Sequence, residues 1–311
     1  MLDVFHIPSN TDSTKIFYAT GGTNDWQTWL KPRGAKFIQI FCLSGGGGGG
    51  GAAGSAISGN AGGAGSGGGA AFSKGIFPAF LLPDNLYVQV GVGGAGGTGN
   101  AGAGGGTAGT AGGISYVSLA PVSTTPSVIM QSATTTGAGG GGAGTTTVLG
   151  TAGVAGTAWT ITNNAFASTG IITSVAGVAG TTGPINTAPP IGPTALATNI
   201  ITGGGSGAAK PNTPAQFDGV TLAAASVILT SFVSGGLAPG GAGNNGYGSL
   251  NPFCSMGGAG GASSTTTKGG RGGDGWYGSG GGGGGGGLST AGGGGNGGKG
   301  GDGLVIITTI Y

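Results

Sequence analysis

Apolar positions in this chain fall into short alternating runs, and nearly every run opens or closes a stretch of glycine. Lys36-Phe-Ile-Gln-Ile-Phe-Cys-Leu-Ser44 leads straight into seven glycines, Gly45 to Gly51. Gly280 to Gly287 leads through further glycine into Leu304-Val-Ile-Ile-Thr-Thr-Ile-Tyr311. Leu86-Tyr-Val-Gln-Val90, Ile114-Ser-Tyr-Val-Ser-Leu119 and Ser127-Val-Ile-Met-Gln131 read as further strands, the first two alternating with a period of two. In the run after Lys36, the residues Phe37, Ile38, Ile40 and Phe41 are all apolar, which predicts cover on both faces. Val4-Phe-His-Ile7 and Lys15-Ile-Phe-Tyr-Ala19 read as short strands separated by turn residues. Phe77-Pro-Ala-Phe-Leu-Leu-Pro-Asp-Asn85 is apolar but carries two prolines, and turns into the strand at Leu86.

A second period runs through the glycine. Gly93-Gly-Ala-Gly-Gly-Thr98, Gly257-Gly-Ala-Gly-Gly-Ala262, Gly269-Gly-Arg-Gly-Gly-Asp274 and Gly297-Gly-Lys-Gly-Gly-Asp302 all repeat Gly-Gly-X. A helix of the polyproline II type has three residues per turn and rises about 3.1 Å per residue, so this period puts every X on one edge and leaves two edges of bare glycine. Bare edges let neighbouring helices approach until backbone N–H and Cα–H groups reach the next helix's carbonyls. Such a helix has no internal hydrogen bonds, so it must stack with others to stay ordered. The expected fold is therefore all-β, with short β-strands framing a glycine-rich core of packed polyglycine II helices. Arg271 with Asp274 and Lys299 with Asp302 stand about 9 Å apart along one such helix. Two antiparallel helices would instead match Arg271 with Asp302 and Lys299 with Asp274.

Composition favours order over disorder. Of 311 residues 85 are glycine, but only nine are Lys or Arg and seven are acidic, all Asp. Mean hydropathy is +0.24, whereas disordered chains stay in water through high charge and low hydrophobicity. Nucleic-acid binding needs clustered cations, and none occurs. No run approaches the roughly 20 apolar residues of a membrane span, and the first residues lack the basic segment and apolar core of a secretory signal. Cys42 and Cys254 do not make a disulfide framework; Cys42 reads as a small buried apolar residue, and whether the two pair is open.

Residues 1–30 differ from the rest in holding Phe5, Phe17, Tyr18, Trp26 and Trp29 with little glycine. They form a candidate assembly arm or the opening hairpin of the main domain. Residues 31–311 read as one glycine-rich β and polyglycine II domain with an Ala/Thr-rich insertion at about 145–250. Gly91-Val-Gly-Gly-Ala-Gly96 fits a dinucleotide fingerprint, but no helix pattern follows it and no acid lies at the right distance. There is one histidine, His6, and the Asp residues show no paired or calcium-loop spacing. No catalytic, cofactor-binding or metal-ligating residue is assigned, and the chain does not read as an enzyme. Tyr247, Phe253, Trp276 and Tyr277 lie within glycine stretches. Their rings suit receptor or partner contacts, or fill gaps between helix layers and strands.

Three segments together carry a resemblance. They are Trp29-Leu-Lys-Pro-Arg-Gly-Ala-Lys-Phe-Ile-Gln-Ile-Phe41 before polyglycine, Pro78-Ala-Phe-Leu-Leu-Pro-Asp-Asn-Leu-Tyr-Val-Gln-Val-Gly-Val-Gly-Gly-Ala-Gly96, and Gly300-Gly-Asp-Gly-Leu-Val-Ile-Ile-Thr308. Over most of residues 26–120 and 251–311 the chain resembles the glycine-rich domain proteins of tailed bacteriophages, tail-fibre proteins and tip adhesins with layered polyglycine II helices. It departs from the tip adhesins in carrying alternating strands throughout. The resemblance implies a structural or adhesive virion protein that contacts the host surface, with the virion as its location and release outside the host on lysis. Expected partners are further copies of itself, other virion proteins and a host-surface glycan or protein, with no nucleic acid and no membrane insertion. The alternative is a multi-copy capsid-surface or extracellular filament subunit with a purely structural role.

Overall fold

The computed structural model describes residues 14–22, 25–160, 171–187, 200–222, 232–250 and 253–311. Its strands are β1 (Thr14–Tyr18), β2 (Gln27–Leu30), β3 (Phe37–Leu43), β4 (Gly54–Ser55), β5 (Phe72–Pro78), β6 (Asn85–Gln89), β7 (Tyr116–Ser118), β8 (Val128–Gln131), β9 (Ile171–Val175), β10 (Gly248–Leu250), β11 (Phe253–Ser255), β12 (Gly287–Leu288) and β13 (Leu304–Ile310). The protein is all-β; among the described residues its two helical turns, Ala79–Leu81 and Ser289–Ala291, are single 3₁₀ turns. The expected strand Val4–Ile7 lies outside the described residues.

Two antiparallel sheets form a sandwich. One has the order β1-β13-β3-β5-β9, the other β2-β6-β7-β8. Ile38, Ile40 and Cys42 alternate on the inner face of β3 and meet Phe77, Val305 and Ile307. Across from them, Trp29, Leu86, Val88, Val117, Ile129 and Met130 complete one buried cluster. The outer face of β3 is covered only in part: Phe41 packs on Phe72 and Phe253, while Phe37 is 45% exposed. Cover on both faces therefore holds at the end of β3 that meets the glycine and fails at the other end.

From one pole of the sandwich the strands run on as glycine rods. In rod 45–54, Gly45, Gly48, Gly51 and Gly54 donate to Gly113, Thr110, Thr107 and Gly104 of an antiparallel rod. Gly46, Gly49 and Ala52 donate to Gly301, Gly298 and Gly295. Gly47, Gly50 and Ala53 donate to Gly68, Gly65 and Gly62. Every third N–H thus points to the same neighbour, which is the bonding of polyglycine II. The carbonyls of this rod accept, again three residues apart, from the parallel rods 91–100, 137–144 and 279–287. Rod 45–54 is enclosed on all six sides, as are rods 62–70 and 279–287, which touch it and each other.

The enclosure explains the run of seven glycines. A Cβ on Gly47 would stand 1.9 Å from the Gly139 carbonyl oxygen, and one on Gly49 the same distance from that of Gly282. These glycines are not chosen for left-handed backbone. Among the described residues positive φ occurs at Gly21, Gly34, Gly104, Gly240, Gly278, Gly292 and Gly293, which are turn or rod-end positions. The missing Cβ is what the packing requires. The Ala/Thr-rich stretch joins the same bundle, with rods 150–156, 177–184 and 202–210 hydrogen-bonded to rod 62–70.

The expected cross-pairing of charges is corrected. Rods 269–275 and 294–303 run parallel, because the chain passes up and back through rod 279–287 between them. Arg271 pairs with Asp274 and Lys299 with Asp302, each along its own rod. The backbone rise separates the Cα atoms, but the long cationic side chains lie along the rod and cover the gap.

Candidate functional site

The aromatic residues singled out within the glycine stretches gather where the rods meet the sandwich. Phe253 lies 5.4 Å from Phe41 and 6.2 Å from Trp276, measured between ring centroids. Trp276 meets Tyr277 edge-on at 4.8 Å, and Tyr277 approaches Tyr18 at 5.9 Å. A Cβ on Gly248 would come within 2.4 Å of the Trp276 ring, so the hairpin of β10 and β11 is shaped to it. Tyr247 packs beside Val220, Leu222, Val233, Cys254 and Met256, in a cluster of its own. All four rings are half-buried, and they close the seam between rods and strands. Burial, then the neighbouring Tyr18 and Asp302, raises the Tyr277 pKa.

Of the proposed N-terminal arm, Phe17 and Trp29 are buried in the sandwich core and Trp26 is half-buried. Tyr18 is 44% exposed, and Phe5 lies outside the described residues. β1 pairs with β13 and β2 with β6, so the two segments belong to opposite sheets.

The opposite pole of the bundle carries surface that the sequence reading did not single out. Each rod that leaves the sandwich must turn there, at 55–60, 101–103, 145–149, 185–187, 211–216, 237–240, 265–268 and 288–293. Hydrogen bonds tie several of these turns together: Gly294 donates to Asn100, Gly240 to Ser263 and Leu288 to Thr267. Ile57 and Leu237 are 72% and 73% exposed, and Val148 and Leu149 are also bare. These aliphatic side chains stand on separate turns of the same pole, exposed to whatever that pole contacts.

One of these turns is held by Lys210, which is fully buried. Its Nζ lies 2.7 Å from Gly59 O, 3.1 Å from Ala56 O, and 3.3 Å from both Ile57 O and Ser55 Oγ. No carboxylate shares the site among the described residues. A cluster of carbonyl dipoles solvates the ammonium instead, and desolvation by burial lowers its pKa. A lone lysine in an uncharged stretch gave no signal for this role.

The far pole of the sandwich is different again. Leu30, Phe37, Phe80, Ile310 and Tyr311 are exposed there, beside a cleft of about 560 Å³ lined by Lys31, Arg33 and Asp84. Lys31 bridges Asp84 at 3.2 Å and donates to Ala79 O and Leu82 O, which fixes the 79–84 turn that displays Phe80. Among the described residues no three His, Cys or Asp side chains come together as metal ligands would. Cys42 and Cys254 are both free and buried in different clusters; burial pushes the Cys42 thiol far above its ordinary range. No helix among the described residues is long and apolar enough to cross a membrane. Comparison with protein-family models finds none that matches the chain, and comparison with curated proteins finds no relative.

Proposed function

We propose that this is a structural and adhesive protein of a bacteriophage virion, a tail-fibre or receptor-binding component that contacts the host surface. The observation that carries this reading is the polarity of the molecule. A rigid bundle of rods, about 30 Å long at three residues per turn, separates a pole of turns from a pole of strands. The turn pole bears Ile57, Val148, Leu149 and Leu237 on polar loops rich in Thr, Asn and Ser. That mixture suits a glycan or protein receptor, where apolar area and backbone or hydroxyl hydrogen bonding act together. The strand pole, with Phe80, Leu30 and its cations, suits attachment to another virion protein.

Rigid presentation favours binding because little conformational freedom is lost on contact. The experiment is a cell-binding and infection-blocking assay with purified protein. Unmodified protein is expected to bind host cells and protect them from the phage. The double variant Ile57→Asp/Leu237→Asp is expected to lose both effects while melting normally. A Phe80→Asp variant is expected to retain cell binding and fail to enter virions. Undiminished binding by the tip variant would overturn the assignment of the recognition pole. Protein that does not bind cells but polymerises alone would favour the purely structural role.

A further inference from the structure

The bundle has two kinds of side face. On one, rods 91–100, 269–275 and 294–303 carry polar X residues whose side chains cap backbone N–H groups of the next rod. Asn245 Oδ1 accepts from the Asp274 N–H, and Asp274 Oδ1 from the Lys299 N–H, at 2.8 and 2.7 Å. Asp302 Oδ1 accepts from Gly93, and Asn296 Oδ1 from Gly99. Thr110 and Thr107 do the same for Ala95 and Thr98 at the corner of the bundle.

Rods 104–113, 137–145 and 150–156 form a second face, which apart from Thr107 and Thr110 at its corner has no such caps among the described residues. They bond to one another, Gly109 to Gly141 and Gly142 to Thr151. The residues whose backbone faces outward are Ala108 and Ala111, Ala143, and Ala152 and Ala155, and Thr107, Thr110 and Thr151 also stand exposed on these rods. Among the described residues the N–H and C=O of the five alanines have no protein partner. They recur every three residues, in the same spacing that bonds rod to rod inside the bundle. The face is also without charge, since no charged residue occurs between Asp84 and Lys210. Val154 stands 67% exposed on it.

We infer that this face is a self-association surface, on which the rod lattice of a second copy of the chain continues. An open row of backbone donors and acceptors invites pairing with another chain unless side chains block it, as with edge strands of sheets. The occupant must offer the same three-residue repeat to satisfy the row in register, and another copy does. Relative direction poses no obstacle, because rod 45–54 bonds to both parallel and antiparallel neighbours. Three rods about 25 Å long, spaced about 5 Å apart as hydrogen-bonded chains are, would bury about 800 Å² over both copies. That lies below the range of specific, stable interfaces and implies a weak, concentration-dependent dimer.

Sedimentation velocity of the full chain over a concentration series tests this. The wild type is expected to shift from monomer to dimer as concentration rises. Ala108→Lys/Ala155→Lys is expected to remain monomeric with an unchanged melting temperature, and Ala95→Lys, on the capped face, to dimerise as the wild type does. Hydrogen exchange at Ala108, Ala111, Ala152 and Ala155 is expected to slow in the dimer, which carries the test even if the double variant folds poorly. A wild type monomeric throughout, a double variant that dimerises undiminished, or a dimer that leaves these amides fast would overturn the inference. It does not depend on the host recognition proposed above. A monomer that still bound cells would therefore sink this surface and leave host recognition standing.

Discussion

Replacing Gly49 with alanine is expected to remove a large share of the stability of the bundle. The new Cβ would stand 1.9 Å from the Gly282 carbonyl oxygen and 2.5 Å from its carbon. An ordinary carbon–oxygen contact is about 3.3 Å, comparable to weak Cα–H···O contacts, so rod 279–287 would have to retreat by more than 1 Å. Its bonds to rod 45–54, from Gly281 to Gly47, Gly284 to Gly50 and Gly287 to Ala53, are 2.9, 3.0 and 3.1 Å long. That retreat breaks them and leaves buried amides unpaired, at about 1–3 kcal/mol for each group left unsatisfied. Three such losses come to about 3–9 kcal/mol, against a whole-protein stability of about 5–15 kcal/mol. The assay is thermal unfolding, followed by circular dichroism, where a drop on the order of 10 °C is expected. The control is Gly102→Ala, whose Cβ meets nothing closer than 3.7 Å and whose effect is expected to be near zero. If Gly49→Ala melted together with the control, rods packed to hydrogen-bonding distance on all sides would be refuted.

Lys210→Met should cost about 2–4 kcal/mol, since it strands carbonyls of the 55–59 turn, and should expose that turn to limited proteolysis. Because burial lowers the folded-state pKa of Lys210, the unfolded chain holds this proton more tightly. Wild-type stability relative to Lys210→Met should therefore rise with pH through the window between the lowered value and the ordinary lysine value, as read from denaturant midpoints. Asp274→Ala should cost about 1–2 kcal/mol by losing its bond to the Lys299 N–H. Arg271→Ala removes only an exposed pair and should cost less than about 1 kcal/mol; equal losses in chemical denaturation would contradict the capping role. Neither cysteine should react with a thiol reagent in native protein, and both should react once it is denatured, because both are buried.

Much of the architecture was legible in the order of residues. A short apolar run bounded by glycine reads as a strand, and β3, β6, β7, β8 and β13 lie where such runs occur. The Gly-Gly-X period is likewise local, because a threefold rod returns each residue to the same edge after three steps. β5 escaped notice: Phe72-Ser-Lys-Gly-Ile-Phe-Pro78 carries a glycine and ends on proline, yet it pairs with β3 along its whole length. Gly75 is needed there because a Cβ would come 2.9 Å from the Phe77 ring, a constraint set by tertiary packing. The charge pairing also went astray, since rod direction depends on how many rods intervene and not on the motif itself. The rings of Phe253, Trp276 and Tyr277 could be seen in the sequence, but not that they meet Phe41 and Tyr18 from distant strands. Nor could the caged ammonium of Lys210, or the gathering of Ile57 and Leu237 at one pole. Local spacing settles what each segment can offer to a neighbour; it cannot settle which neighbour, because one bare glycine edge is chemically the same as another. That choice falls to the folded chain as a whole, where the strands at one end set where each rod begins, and only then do outer edges differ from inner ones.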